Sequence, residues 1–343
     1  SEQRILTTHV GSLPRPHPLT TLLIRQERGE AIDNEEFARQ VESAVRAVIQ
    51  RQLAAGSDVG NDGEEPRPSF VTYVTQRMSG FGGAGTRPPW RDLVEFPDFA
   101  ALWQARMAHM TPTEALKTPQ AVAEVHYTDL SAAEQESALF LRCVQEHSQQ
   151  FTDCFMTAAS PGILATVLLN AYYDSHERYV LALAKQMKQE YEFIHAQGLL
   201  LQIDAPDLAC DYAWFFQHLS LQEFQKIVET YVAALNLALE NIPADRIRLH
   251  VCWGNFEAPH THDIPLAAIL PLLYQAKVGA LSIELANPRH QHEYHVFKQY
   301  PLPESMLLIP GVIDPKTNYV EHPEVVADRL THAVQAVGDR SRV

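Results

Sequence analysis

Hydrophobic and polar positions alternate along this chain in two recurring textures. Short apolar runs, each closed by Gly, Asp, Asn or Pro, fall at residues 5–12, 56–62, 155–162, 199–207, 246–255, 280–286 and 306–314. Longer stretches, with apolar residues returning every three or four positions, fall at 32–55, 175–197, 220–241 and 322–337. The first texture predicts strands and the second amphipathic helices. Strands separated by helices predict an α/β fold with a parallel sheet. Seven units of this kind, with Arg342 and Val343 read as the opening of an eighth strand, predict a TIM (β/α)8 barrel. The eighth strand itself is expected to be missing or truncated in this chain. No GxGxxG turn lies between the first strand and its helix, where it would mark a dinucleotide-binding open sheet.

One interval breaks the rhythm. Residues 63–154 form a long insertion between the second and third predicted strands. It holds a Gly-rich stretch at 80–85, read as a loop, a Pro88-Pro89-Trp90 turn, and a predicted helix near 131–150. The whole chain, 1–343, is read as one barrel domain, with 63–154 laid over the C-terminal mouth, where barrel active sites lie.

Composition narrows the partners. A formal net charge of −15 argues against nucleic acid and anionic membrane surfaces. No apolar run approaches the ~18 residues of a membrane helix, and the start lacks a signal-peptide core, so a cytoplasmic location is expected. Four scattered cysteines are too few for a secreted disulfide framework; each is a buried apolar residue or a metal or redox ligand. The pattern leaves the oligomeric state open, a homo-oligomer included.

Candidate chemistry gathers at predicted strand ends. On a strand, His250 and Cys252 point to one side and Leu249 and Val251 to the other. An imidazole beside a thiol makes good zinc ligands; a core histidine beside a buried cysteine fits the same spacing, and spacing alone favours it. One strand later, alternation puts Ser282, Glu284 and Ala286 on one face. A carboxylate turned inward needs a cationic partner, either a metal held by the neighbouring strand or a salt bridge to Arg289. Asp204 closes the 199–207 strand and is placed to orient a substrate cation or a ligand histidine, or to act as a turn residue. His260, His262, His290 and His292 read as solvated loop histidines, and Asp58, Asp62, Glu64 and Glu65 as a mostly solvated acidic rim.

These motifs together resemble the catalytic C-terminal domain of cobalamin-independent methionine synthases and their shorter single-domain relatives. The resemblance rests on Thr7-Thr8-His9-Val10-Gly11-Ser12-Leu13-Pro14-Arg15-Pro16, Gln202-Ile203-Asp204-Ala205-Pro206, His250-Val251-Cys252, Ile283-Glu284 and Pro310-Gly311-Val312-Ile313-Asp314, in order over nearly the whole length. It implies a Zn2+ held by His250, Cys252, Glu284 and a further Cys expected beyond Val343. It implies a thiol substrate activated as thiolate and alkylated, with a methylated folate as donor and homocysteine as acceptor. Gly11, Ser12 and Asp204 are implied substrate contacts, Asp204 also catalytic. Two positions depart from the family pattern: aligned by Asp58-Val59 and Ser79-Gly80-Phe81, Thr72 stands where a substrate-contacting Glu is expected, and Lys316 where a proton-shuttling His is expected. That change points to a different acceptor, as in the related epoxyalkane:coenzyme M transferase, which opens an epoxide with an anionic thiol. Two other readings stay open: a metal-free lyase or decarboxylase using Asp204 and histidines, and a non-catalytic thiol- or folate-binding relative.

Overall fold

The computed structural model describes residues 4–110 and 117–343. Its strands are β1 (Val59–Gly60), β2 (Met78–Thr86), β3 (Lys117–Tyr127), β4 (Asp153–Ala159), β5 (Leu200–Asp204), β6 (Ile247–Val251), β7 (Ala280–Ile283) and β8 (Leu307–Pro310). β1, β4, β5, β6, β7 and β8 lie side by side in that order, each neighbouring pair parallel. Thr8 adds a parallel bridge to Val59 on the outer side of β1. All seven predicted strand regions therefore meet in one sheet, in chain order.

The sheet curls. Arg248 on β6 reaches across the interior, its Nη1 donating to Thr8 Oγ1 at 3.0 Å and its Nη2 to the His9 carbonyl at 3.0 Å. Four strand spacings separate Thr8 from β6 in this order, which in a flat sheet is about 19 Å and beyond the reach of any side chain. Only a sheet bent toward a barrel brings them together.

Helices pack on the outer face. Helix His176–Ala196 buries Tyr179, Leu183, Met187, Tyr191 and Ile194, a stripe of helical period. Its start is fixed by the Ser175 side chain, and helix Leu221–Ala238 begins with a capping box between Ser220 and Glu223. No helix of the described residues is long and apolar enough to cross a membrane.

Local readings change in three places. The Gly-rich stretch at 80–85 is not a loop but part of β2, paired antiparallel with β3. Gly80, at φ +96, allows this: a Cβ there would lie 2.5 Å from the Glu124 carbonyl oxygen. The helix near 131–150 stops at Gln145. Residues Arg340–Arg342 form a 3-10 turn rather than an opening strand, because Asp339 caps it and Arg342 donates to the carbonyls of Leu302, Pro303 and Met306.

The segment between β1 and β4 is tied to the parallel sheet by buried charge. Arg67 donates through Nε and Nη2 to Glu136 Oε2 at 3.0 and 2.9 Å, and through Nη1 to the Thr157 carbonyl on β4 at 2.7 Å. Arg77 joins Glu136 to Glu190 on helix His176–Ala196, and the Tyr73 and Tyr127 hydroxyls also donate to Glu190. Removing one member strands a buried opposite charge. Glu136→Gln should lower stability by about 3 kcal/mol, read as a fall in the urea midpoint with an unchanged slope.

Candidate active site at the strand ends

The interior face of β5 and β6 is polar. Gln202, Asp204, Arg248 and His250 share it, and the parallel register sets Asp204 directly beside His250. Asp204 Oδ1 accepts from Gln202 Nε2 at 2.8 Å and lies 2.9 Å from His250 Nδ1. Arg248 stacks over the Phe155 ring at 4.1 Å. Burial draws its guanidinium down to about 10, with the Asp204 charge opposing.

With Nδ1 engaged by Asp204, Nε2 of His250 is left for Cys252, one residue past the strand end. Burial alone would lower the imidazole. The Cys252 charge and hydrogen bonds to Asp204 and Cys252 outweigh it and raise the group to about 10. The register of β6 with β7 pairs Val251 with Ile283, and Cys252 and Glu284 are the residues that follow this last pair. Glu284 Oε1 accepts the backbone N–H of Ala286 and Asn287, each at 2.7 Å. Its Oε2 lies 3.7 Å from Lys316 Nζ, which in turn is 2.9 Å from Asp314 Oδ1. Lys316, not Arg289, is thus the cation at Glu284; Arg289 donates to the His260 carbonyl instead.

Among the described residues no three His, Cys, Asp or Glu side chains are gathered as a metal-holding group. The structure joins His250 to Cys252 and leaves Glu284 on the adjoining strand with Lys316. The donor set itself (one imidazole, one thiol, one carboxylate) suits zinc. Asp204 on the imidazole supplies the outer hydrogen bond that zinc-ligating histidines need.

Sequence reasoning passed over Glu64. Asp58, Asp62, Glu64 and Glu65 are all buried and form no solvated rim. Asp58 is held by Arg4 and Thr7. Glu64 takes a left-handed backbone, φ +56, that turns its carboxylate inward to accept from Thr157 Oγ1 at 2.7 Å. Burial and the facing Asp204 charge raise it to about 7. Gly11, at φ +130, admits this approach: a Cβ there would meet Glu64 Oε1 at 2.9 Å and Thr157 Cγ2 at 2.7 Å. Ser12 follows it, exposed. Thr72 is not brought to this group; its hydroxyl contacts Ser69 and, at 3.1 Å, Glu27. The overlooked signal was the Gly63-Glu64 pair directly after the apolar run at 56–62. Two of the loop histidines also differ from expectation: His260 and His290 are buried and ion-paired, whereas His262 meets Glu95 and His292 is exposed.

A strand-end constellation of this kind on a curled parallel sheet places the chain among enzymes of barrel type, and comparison narrows it. A methionine synthase of Saccharolobus solfataricus is 25% identical, the match covering 94% of this chain and 81% of that protein. The 2-hydroxypropyl-CoM lyase of Xanthobacter autotrophicus is 22% identical over 97% of this chain and 85% of its own length. A B12-independent methionine synthase from Shewanella sp. W3-18-1, solved with selenomethionine, superposes with a TM-score of 0.70 at 21% identity, covering 96% of this chain and 86% of that one. One from Listeria monocytogenes, putative in its function, gives 0.65 at 17% identity, covering 97% and 87%. No family model matches the chain. Its homologues are thus the methionine synthases and a 2-hydroxypropyl-CoM lyase, and its fold is that of the B12-independent methionine synthases.

An acid raised in the folded state weakens the fold increasingly as pH climbs from its unfolded value toward its folded one. For Glu64 that window runs from 4.5 to about 7. Glu64→Gln keeps the hydrogen bond from Thr157 and removes the buried charge. It should therefore gain stability on the order of 2 kcal/mol above about pH 8 and almost none near pH 4, checked by thermal melts at both.

Proposed function

We propose that this chain alkylates a small thiol, with a zinc ion held by His250, Cys252 and Glu284, in a reaction of the methionine synthase type: methyl transfer from 5-methyltetrahydrofolate to homocysteine. The observation that carries the reading is the Asp204–His250–Cys252 relay, 2.9 Å at its carboxylate–imidazole step, with Glu284 directly after Ile283, the register partner of Val251. When bound, zinc supplies the Lewis acidity that lets a thiol lose its proton near neutral pH. The acceptor sulfur gives up that proton and forms an S–C bond as the donor departs with the bonding electrons and takes up a proton.

The chain's own residues do the rest. Asp204 fixes the imidazole's orientation. Lys316 and the turn amides of Ala286 and Asn287 hold Glu284 in place. Glu64, beside Gly11, feels the charge of Asp204, and an acceptor's ammonium group would neutralise that pair of carboxylates. This favours an amino-acid thiol over an anionic one, because Lys316 is already matched by Asp314 and Glu284. The insertion packs Trp90 on Trp214 and Phe256, in the loops after β5 and β6, and serves as the cover that keeps water from the site.

Purified protein should carry near-stoichiometric zinc that is lost in Cys252→Ser, together with activity. Turnover is measured in parallel with homocysteine and with coenzyme M; alkylation of coenzyme M alone would replace the amino-acid reading with the epoxide-opening one. A metal-free protein that still turns over would overturn the zinc reading. Asp204→Asn should weaken zinc binding about 10–100-fold in a chelator competition.

A further inference from the structure

Beyond the reaction centre lies a buried chain of charges that the proposed chemistry does not use. Asp263 Oδ2 lies 2.9 Å from His260 Nδ1 and 2.8 Å from His290 Nε2. His290 Nδ1 lies 2.9 Å from Glu293 Oε2, and Glu293 Oε1 accepts the Leu266 N–H. His260 Nε2 is 3.0 Å from the Phe256 carbonyl. Asp92, in helix Arg91–Glu95 of the insertion, accepts the backbone N–H of His260 at 2.9 Å and the Thr261 hydroxyl at 3.1 Å. Arg289 donates to the His260 carbonyl. The chain thus joins three segments: the loop after β6, the loop after β7 and the insertion.

Hydrogen-bond bookkeeping decides the protonation of both rings. A carbonyl only accepts, so His260 Nε2 carries a hydrogen. An ionised carboxylate also only accepts, so Nδ1 facing Asp263 carries one too. His290 faces a carboxylate from each nitrogen, and both must donate. A proton on Asp263 Oδ2 would only move one ring's charge onto the carboxyl, and although burial favours that, the hydrogen bonds to His260 and His290 hold Asp263 below its usual range. Every partner position therefore calls for two imidazolium rings between two carboxylates.

We infer that His260, Asp263, His290 and Glu293 form a proton-dependent latch that fastens the loops after β6 and β7, and the insertion, over the strand ends. The groups facing the rings are Asp263 and Glu293, with Asp92 and Arg289 at the His260 backbone; His262 pairs outward with Glu95. The latch also positions the reaction centre. His290 stacks on Trp253 at 3.8 Å and 16°, and Trp253 directly follows Cys252. Burial opposes the charge on both rings, but the bonds to Asp263, with Glu293 added at His290, raise both above their ordinary value. A raised histidine stabilises the closed form fully below its unfolded value, and that contribution is lost as pH rises through the folded one. Opening should thus increase about tenfold per pH unit for each proton released.

The test reads the intact protein without any substrate, so it stands apart from the proposed reaction. Ring 15N shifts of His260 and His290 should be those of imidazolium at about pH 7, each titrating above ~6.5. Trp253 emission should rise through the same midpoint, as the quenching imidazolium loses its proton. Amide exchange in 254–263 and 287–293, corrected for its intrinsic pH dependence, should accelerate together with it. In His290→Gln the fluorescence step should vanish and loop 254–263 should exchange fast already at neutral pH. A neutral ring at either histidine at pH 7, or loop exchange that ignores the wild-type midpoint, overturns the latch. The wild-type titration decides even if the variant does not fold.

Discussion

Asp204 is where the charges of the barrel interior meet. Its carboxylate takes the Gln202 amide and the His250 imidazole, attracts the buried Arg248, and repels the carboxylate of Glu64. A sheet can carry so much charge on its inner face only if each group has an opposite number within reach. The curl supplies that reach, by bringing Thr8 and His9 to Arg248. Fold and site are thus one problem solved once: the same bend that answers the arginine gathers the strand ends.

Much of this was legible in residue order. Leu249 and Val251 alternate with His250 and Cys252, and that alternation alone sets which pair turns inward. The apolar runs located every strand of the parallel sheet, because a strand buried on both faces leaves an unmistakable apolar trace. Less legible was whatever depends on partners far away in the chain. The Gly-rich stretch at 80–85 reads as a loop until a second backbone lies close enough to need those glycines.

Buried polar residues were the least legible. His260, His290 and Glu64 look like surface residues by type, and only their partners show otherwise. Each is satisfied by a group at least three residues off, and often on another element: Asp263 for both histidines, Thr157 for Glu64. Local composition carries no trace of such pairing. The backbone does, since Glu64 and His260 are the two non-glycine residues with positive φ among those described. Both lie beside charged groups the sequence had left to solvent.

The knot of Arg67, Arg77, Glu136 and Glu190 has a consequence for how the molecule comes apart. Its two arginines and Glu136 belong to the insertion, while Glu190 and the Thr157 carbonyl belong to the barrel. Neither half can shed the other without leaving ions in an apolar interior. The segment between β1 and β4 is therefore no appendage to the parallel sheet. Separating the two would bare buried ions on both, and a scaffold trimmed of residues 63–152 would leave Glu190 without its arginine at the centre rather than a shorter loop at the rim.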